Sequence, residues 1–360
     1  MVAILGAWSA SAGAGEVGAS WTGDFATVAS GGLDHGGRHL GLVELTFDHG
    51  FVFAGRTNSL HLSAQHVYGG GFSEFQVGDL QTVSNIDADD GTRLLEAWVD
   101  VPLAGNSSVL VGRYDLNSEF DLLEAGGLFL AGSQGMGTDI SQTGAAGPSI
   151  FPRTALGIRL LQRHERGGTF RGAALDVEAA TDADYDDAPF AGGPMLMLEY
   201  ELPLQSVRVK TGAWRFTRSK AAWSDPHDRG HEYGGYASIE RKLGSSLVAY
   251  GRFGLANADV SRIGLYAGGG IVHTGGLLPD RDDAIGLAFG YARNGNGYAD
   301  AMRAEGVAVT SGEQAYELTW RIPCGEHLVL QPDVQYVVDP DSRPDIGDAL
   351  VLILRVELSL

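Results

Sequence analysis

Cysteine is almost missing from the 360 residues. Cys324 stands alone, so neither an intramolecular disulfide nor a multi-cysteine metal site can form. Proline is sparse, at 12 residues, and no Gly-X-Y period accompanies it, which excludes a collagen-like rod. Long hydrophobic runs are missing too. The longest, Ala349–Leu354, falls far short of the roughly 20 residues of a membrane helix. Basic charge is in short supply: 25 Lys and Arg stand against 45 Asp and Glu, a formal net charge of −20. Such a chain repels phosphate backbones, so nucleic acid is not an expected partner. No linker or composition shift divides the chain, and its 44% of hydrophobic residues argue against disorder.

What the sequence does have is period-two alternation, sustained to the last residue. In Ala349–Leu360 the even positions Leu350, Leu352, Leu354, Val356, Leu358 and Leu360 are all apolar, while Arg355, Glu357 and Ser359 alternate with them. A strand puts these two sets on opposite faces. Leu328 to Val338 repeats the pattern against Gln331, Asp333 and Gln335. Tyr316, Leu318, Trp320 and Ile322 oppose Glu317, Thr319 and Arg321. Leu196, Leu198, Tyr200 and Leu202 oppose Glu199 and Glu201, and Leu156, Ile158 and Leu160 oppose Arg159. About sixteen such segments occur, near 18–29, 38–48, 58–67, 92–102, 107–115, 154–163, 169–178, 194–202, 206–217, 232–243, 246–256, 262–273, 283–293, 313–322, 326–338 and 348–360, and no helical period competes.

A soluble sandwich would alternate as well. Many segments reach ten residues or more, however, where soluble strands run to about five or six. The spacing also suits tilted membrane strands of roughly nine to eleven residues. The pattern predicts an all-β fold, a closed antiparallel transmembrane barrel, with aromatics such as Trp320, Tyr336, Tyr291 and Tyr200 in interfacial girdles. Glycine, at 53 residues, then eases wall curvature and leaves lumen space in Tyr266-Ala-Gly-Gly-Gly-Ile and Gly234-Gly-Tyr-Ala. Residues 18–360 read as one barrel domain. Residues 1–17, apolar and small but without a basic start, read as a signal remnant or a flexible terminus.

Several stretches carry a family resemblance. Val77-Gly-Asp-Leu-Gln-Thr-Val-Ser-Asn-Ile-Asp-Ala, Gly91-Thr-Arg-Leu-Leu-Glu-Ala-Trp and Val111-Gly-Arg-Tyr-Asp-Leu-Asn-Ser-Glu-Phe-Asp resemble the carbohydrate-selective porins of the OprB type. Ser141-Gln-Thr-Gly-Ala-Ala-Gly-Pro-Ser-Ile-Phe-Pro, Leu330-Gln-Pro-Asp-Val-Gln-Tyr-Val-Val and Asp348-Ala-Leu-Val-Leu-Ile-Leu-Arg are similar again. These pieces follow family order over nearly the whole chain. One departure is Leu360, where such barrels typically finish on an aromatic. The resemblance implies a sixteen-stranded bacterial outer-membrane barrel that passes small sugars by diffusion. It also implies lipid and lipopolysaccharide as surroundings, the barrel-assembly machinery as an assembly partner, and a homo-oligomer as an open option.

The connection between Tyr114 and Thr154 is too long for a hairpin, and loops of that length in compact folds are usually functional. With its apolar Leu122-Leu123 and Leu128-Phe-Leu130, residues 116–153 are expected to fold into the lumen as a constriction loop. Arg113, Asp115, Asn117 and Glu119 share one parity, and Arg159 opposes an apolar face. They are the expected sugar-contacting rim, with salt-bridge tethering of the loop as the alternative. Forked donors, carboxylate and amide acceptors and aromatic faces are the groups a polyhydroxyl solute requires. If the acidic excess reaches the pore, cation preference follows.

Other motifs carry little. Gly13-Ala-Gly-Glu-Val-Gly matches GxGxxG but opens a strand, so no nucleotide cofactor is expected. Asn85 to Gly91 with Glu96 mimics a calcium loop with its glycine displaced. His61 and His66 point to opposite faces of a strand, and glycine separates His35 from His39, so neither is an expected metal pair. Asp182, Asp184, Asp186 and Asp187 read as a solvated loop, or else a loose divalent-ion site. No nucleophile–base set appears. The rival functions are an outer-membrane barrel enzyme and a soluble β-rich carbohydrate-binding protein.

Overall fold

The computed structural model describes residues 15–165, 167–177, 189–225, 227–278 and 282–360. The acidic run Asp182–Asp187 and most of the amino-terminal stretch lie outside the described residues. The strands are β1 (Glu16–Gly32), β2 (Gly36–Phe53), β3 (Arg56–Tyr68), β4 (Gly91–Pro102), β5 (Ser107–Tyr114), β6 (Ala155–Arg163), β7 (Thr169–Leu175) and β8 (Met195–Leu204). They continue as β9 (Val207–Ala221), β10 (Arg229–Lys242), β11 (Leu247–Ala256), β12 (Ile263–Thr274), β13 (Ala284–Asn294), β14 (Gly312–Pro323), β15 (Leu328–Val338) and β16 (Gly347–Ser359).

Each strand pairs antiparallel with its sequence neighbours, and β1 pairs with β16 to close the barrel, as in Ala26 opposite Ile353. Closure leaves no unpaired edge, the condition for a sheet to stand in lipid. No helix among the described residues is long and apolar enough to cross a membrane.

The alternation sorts the wall into two faces. Leu198, Leu318, Leu352 and Leu354 are exposed outward, while Glu199, Glu317, Thr319 and Arg355 are buried inward. The aromatic girdles form at both ends of the wall. Tyr336 donates to Asp348 and Tyr291 to Ser311 near one end. Trp320 Nε1 donates to Asp283 near the other, at 2.6 Å. One end has short turns such as Ala54–Gly55, both at positive φ, which suits a two-residue hairpin. The other end carries the long connections 69–90 and 115–154.

The inner face is not uniformly wet. Apolar clusters fill part of the lumen, and two of them are large. One joins Tyr114, Leu116, Phe120 and Ile140 to wall residues Met195, Met197, Trp214 and Phe216. The other joins Phe72, Val77 and Val83 to Val28, Val351 and Ile353. The inward glycines make room for rings and loops rather than for passage. A Cβ on Gly270 would lie 2.8 Å from the Tyr250 ring, and one on Gly254 would lie 2.1 Å from the Asp139 carboxylate.

Candidate functional site

The chain leaves the wall at Tyr114 and coils at once. Asp115 caps a single turn, Leu116–Ser118, and accepts from Asn117 N at 2.8 Å. The segment then crosses the lumen to Thr154. Inside a barrel its backbone amides have limited access to water and must find protein partners. Inward-facing wall carboxylates supply them. Glu199 accepts from Asp121 N at 2.8 Å, Glu240 from Ala125 N at 2.9 Å, and Glu317 from Leu130 N and Ala131 N at 2.5 and 3.1 Å. Glu232 accepts from Gly144 N at 3.0 Å, and Lys210 Nζ donates to Leu122 O at 2.6 Å. Charged acceptors make these bonds stronger than neutral ones.

The tightest fastening is at Arg252. Its Nε donates to Asp121 at 2.8 Å and its Nη1 to Asp139 at 2.5 Å, with all three side chains buried. The guanidinium lies 5.2 Å from the ring centres of both Tyr236 and Tyr266, which adds cation–π attraction.

A second segment folds inward beside it, and the sequence reading did not anticipate this. Residues 69–90 dip into the barrel, where Glu313 accepts from Leu80 N and Gln81 N at 2.7 and 3.0 Å. Gln335 donates to Val83 O at 2.7 Å, and Ser84 donates to Asp24, which Arg355 grips through two nitrogens at 2.7 and 2.8 Å. The two segments join through Asn85 N to Leu130 O and Gly132 N to Thr82 O. Asp24, Glu313, Gln335 and Arg355 are all polar at inward parity, as a water-filled lumen would also show, so the sequence carried no separate signal for this segment. Within the 69–90 segment, burial raises Asp79 to about 6, with Asp87 adding repulsion. Burial likewise raises Asp115 to about 6.

The remaining inner wall, from β4 to β9, carries a ladder of shared ions. Arg159 bonds Glu119 at 2.7 Å and approaches Asp100 at 3.5 Å. Below it, Arg171 bridges Glu199 and Glu201 at 3.0 and 2.9 Å. Arg208, near the short-turn end, bridges Glu124 at 2.5 Å and Glu201 at 3.2 Å. Beside the ladder, Trp98 stacks on His61 with ring centres 5.1 Å apart, and His61 Nδ1 donates to Asp48 at 2.6 Å. Glu201, Arg171, Arg208, Asp100 and Glu124 keep part of their side chains exposed.

The predicted rim residues divide. Arg113 shares its parity with Val111, which is 51% exposed on the outer face, so the expected inward placement fails. Its Nη1 caps Thr154 O instead. Asp115 is buried as a cap, and Asn117 ties Phe120 O and Gly135 O at 3.2 and 3.1 Å. Their shared parity has no meaning, because the chain turns helically where extension was assumed. Arg159 does point inward, but it is only 3% exposed, held by Glu119 and by Ser108 at 2.7 Å. Glu119 also accepts from Tyr114 Oη at 2.8 Å.

No group of three or more His, Cys, Asp or Glu among the described residues could hold a metal. His66 faces outward to Thr92, away from His61. In the calcium-loop mimic, Asp87 caps Gly71 N and Ser73 N, and Asn85 accepts from Arg355.

A family model described as carbohydrate-selective porin, OprB family, matches residues 53–360. The high-pH structure of Pseudomonas putida OprB aligns at a TM-score of 0.85 and 14% identity, covering 96% of this chain and 94% of that one. The outer-membrane channel DcaP of Acinetobacter baumannii aligns at 0.60 and 12%, covering 96% and 97%. A mutant of the Rh. blastica porin aligns at 0.59 and 10%, covering 96% and 100%. At these identities the solved structures establish the fold alone. No curated protein matches the sequence.

Proposed function

The chain belongs to the OprB family of carbohydrate-selective porins, passive outer-membrane channels for sugars and not enzymes, and from that premise we propose how it selects. The sugar path runs down the inner wall of β4–β9, past Asp100, Arg171, Glu201, Arg208 and Glu124. The observation that carries this reading is that Arg171 and Arg208 are each shared between two carboxylates while keeping 15% and 32% of their side chains exposed to the lumen. A sugar hydroxyl both donates and accepts. It can exchange with one arm of such a bridge while the other arm holds, so binding stays weak enough for flux. Arg159 and Glu119 fix the upper end of the path by tethering the constriction loop, and Asp115 and Asn117 shape its first turn. Arg113 has no part in the path.

The family implies a bacterial outer membrane and small carbohydrates in transit. We extend this to lipopolysaccharide around the long-loop end, the barrel-assembly machinery acting on the apolar terminal strand, and another copy of the chain as a neighbour. Residues 18–360 form one porin domain in this reading.

The test is the Arg208→Gln/Glu201→Gln double variant, which keeps net charge. Liposome swelling should show discrimination among monosaccharides reduced about threefold or more, the scale of one hydrogen bond lost, at nearly unchanged salt conductance. Unchanged discrimination would place selection elsewhere.

A further inference from the structure

A cavity of about 330 Å³ opens on the long-loop side, between the end of the 69–90 segment and the returning limb of the constriction loop. It is separate from the ladder on β4–β9. We propose that it is a capture site for one neutral sugar at the channel entrance, a proposal that rests on the sugar-path reading above. Its volume sits at the low end of the roughly 300–1,000 Å³ typical of small-ligand sites.

The lining has two characters. Ile150, Phe151 and Pro152 form an apolar floor. Ile150 packs on one lumen cluster and Phe151 on the other, so the floor is backed by both. Asp89 and Arg153 form the rim, 2.9 Å apart and 69% and 48% exposed. A pyranose has the matching halves: a face of C–H groups and an edge of hydroxyls that donate and accept.

The rim also sets the charge of the ligand. Asp89 and Arg153 neutralise one another, and Asp87 leaves the lining one negative charge, so the site turns anions away and admits a neutral sugar without that penalty. An exposed ion pair of this kind is worth only about 0–1 kcal/mol, and each partner can turn to a hydroxyl at little cost. Asp87, in contrast, is committed to Gly71 N and Ser73 N at 2.6 and 2.7 Å and serves to hold the rim in place. Ala146 contributes a small side of the cavity, where a large side chain would fill it without touching the ladder.

The experiment measures initial uptake against concentration in proteoliposomes holding the full chain, with D-glucose, D-mannose and D-xylose as probes. Ala146→Trp should raise the half-saturating concentration of at least one of them threefold or more. The maximal rate and salt conductance should not change. Arg153→Gln, which leaves the cavity open, should raise it about twofold for the same sugar, the scale of a weakened hydrogen bond. Unchanged half-saturation for all three sugars in both variants would overturn the capture site while leaving the sugar path intact. Absence of any uptake by the unaltered chain would overturn the sugar path itself, and the capture site with it.

Discussion

Arg252 is a single residue on which the lumen's shape depends. Removing it leaves Asp121 and Asp139 buried and unpaired, a situation that typically costs about 3–5 kcal/mol. The constriction loop can relieve that cost by lifting off the wall. Arg252→Met should therefore give a larger, noisier channel for every solute in single-channel recordings, while the barrel still folds by heat-modifiability. Arg159→Ala should act in the same direction more weakly, because Glu119 keeps its bond to Tyr114. If Arg159→Ala altered sugar discrimination at constant conductance instead, the tether reading would be wrong. At this scale the sequence was only partly legible. Arg159 could be placed by the apolar parity of Leu156, Ile158 and Leu160. Asp115, Asn117 and Glu119 could not, since parity holds only while the chain is extended and Leu116–Ser118 is a helical turn.

Single strands and segments test the two faces. On β2, Leu45 faces outward and is exposed, and its neighbour Thr46 faces the lumen half-buried. A charge at the bilayer midplane costs about 2–4 kcal/mol, so Leu45→Arg should impair assembly where Thr46→Arg is tolerated. Equal heat-modifiability of the two would reject the assigned faces. The terminal strand behaves differently. Leu352→Arg should fail for the same reason, but Val351→Arg should fail too, because Val351 is packed against the 69–90 segment rather than against water. Alternation reveals which face a residue takes, not whether that face is wet. For the same reason the inward 69–90 segment went unread: its partners lie more than 200 residues away, at Glu313 and Gln335.

That segment should also respond to pH. Asp79, raised to about 6 by burial, faces Glu313 and Asp87 and is destabilising there when ionised. Its folded value exceeds its unfolded one, so protonation favours the docked segment, and docking weakens as pH rises through about 6. Open-channel noise should fall between pH 7.5 and 5.5, and Asp79→Asn should reduce the change. Noise that rises on acidification would contradict this assignment.

For the whole molecule, the barrel, its strand number and its antiparallel closure were legible because each wall residue reports its face through the lipid–lumen contrast. The contents of the lumen were not, because they depend on contacts distant in sequence. Part of the acidic excess holds loop backbone: Glu199, Glu232, Glu240, Glu313 and Glu317 all accept from loop amides. What remains along the ladder is acidic on balance, so reversal potentials in a salt gradient should show a modest cation preference, and anion preference would contradict that balance. The central claim is a barrel that passes small neutral sugars along a polar wall narrowed by two inward segments. Liposome swelling tests it most directly. Proteoliposomes should swell faster in monosaccharides than in an uncharged non-sugar polyether of similar size, and trisaccharides should be slow. Equal rates for sugar and polyether of one size, or no swelling in any sugar, would contradict the account.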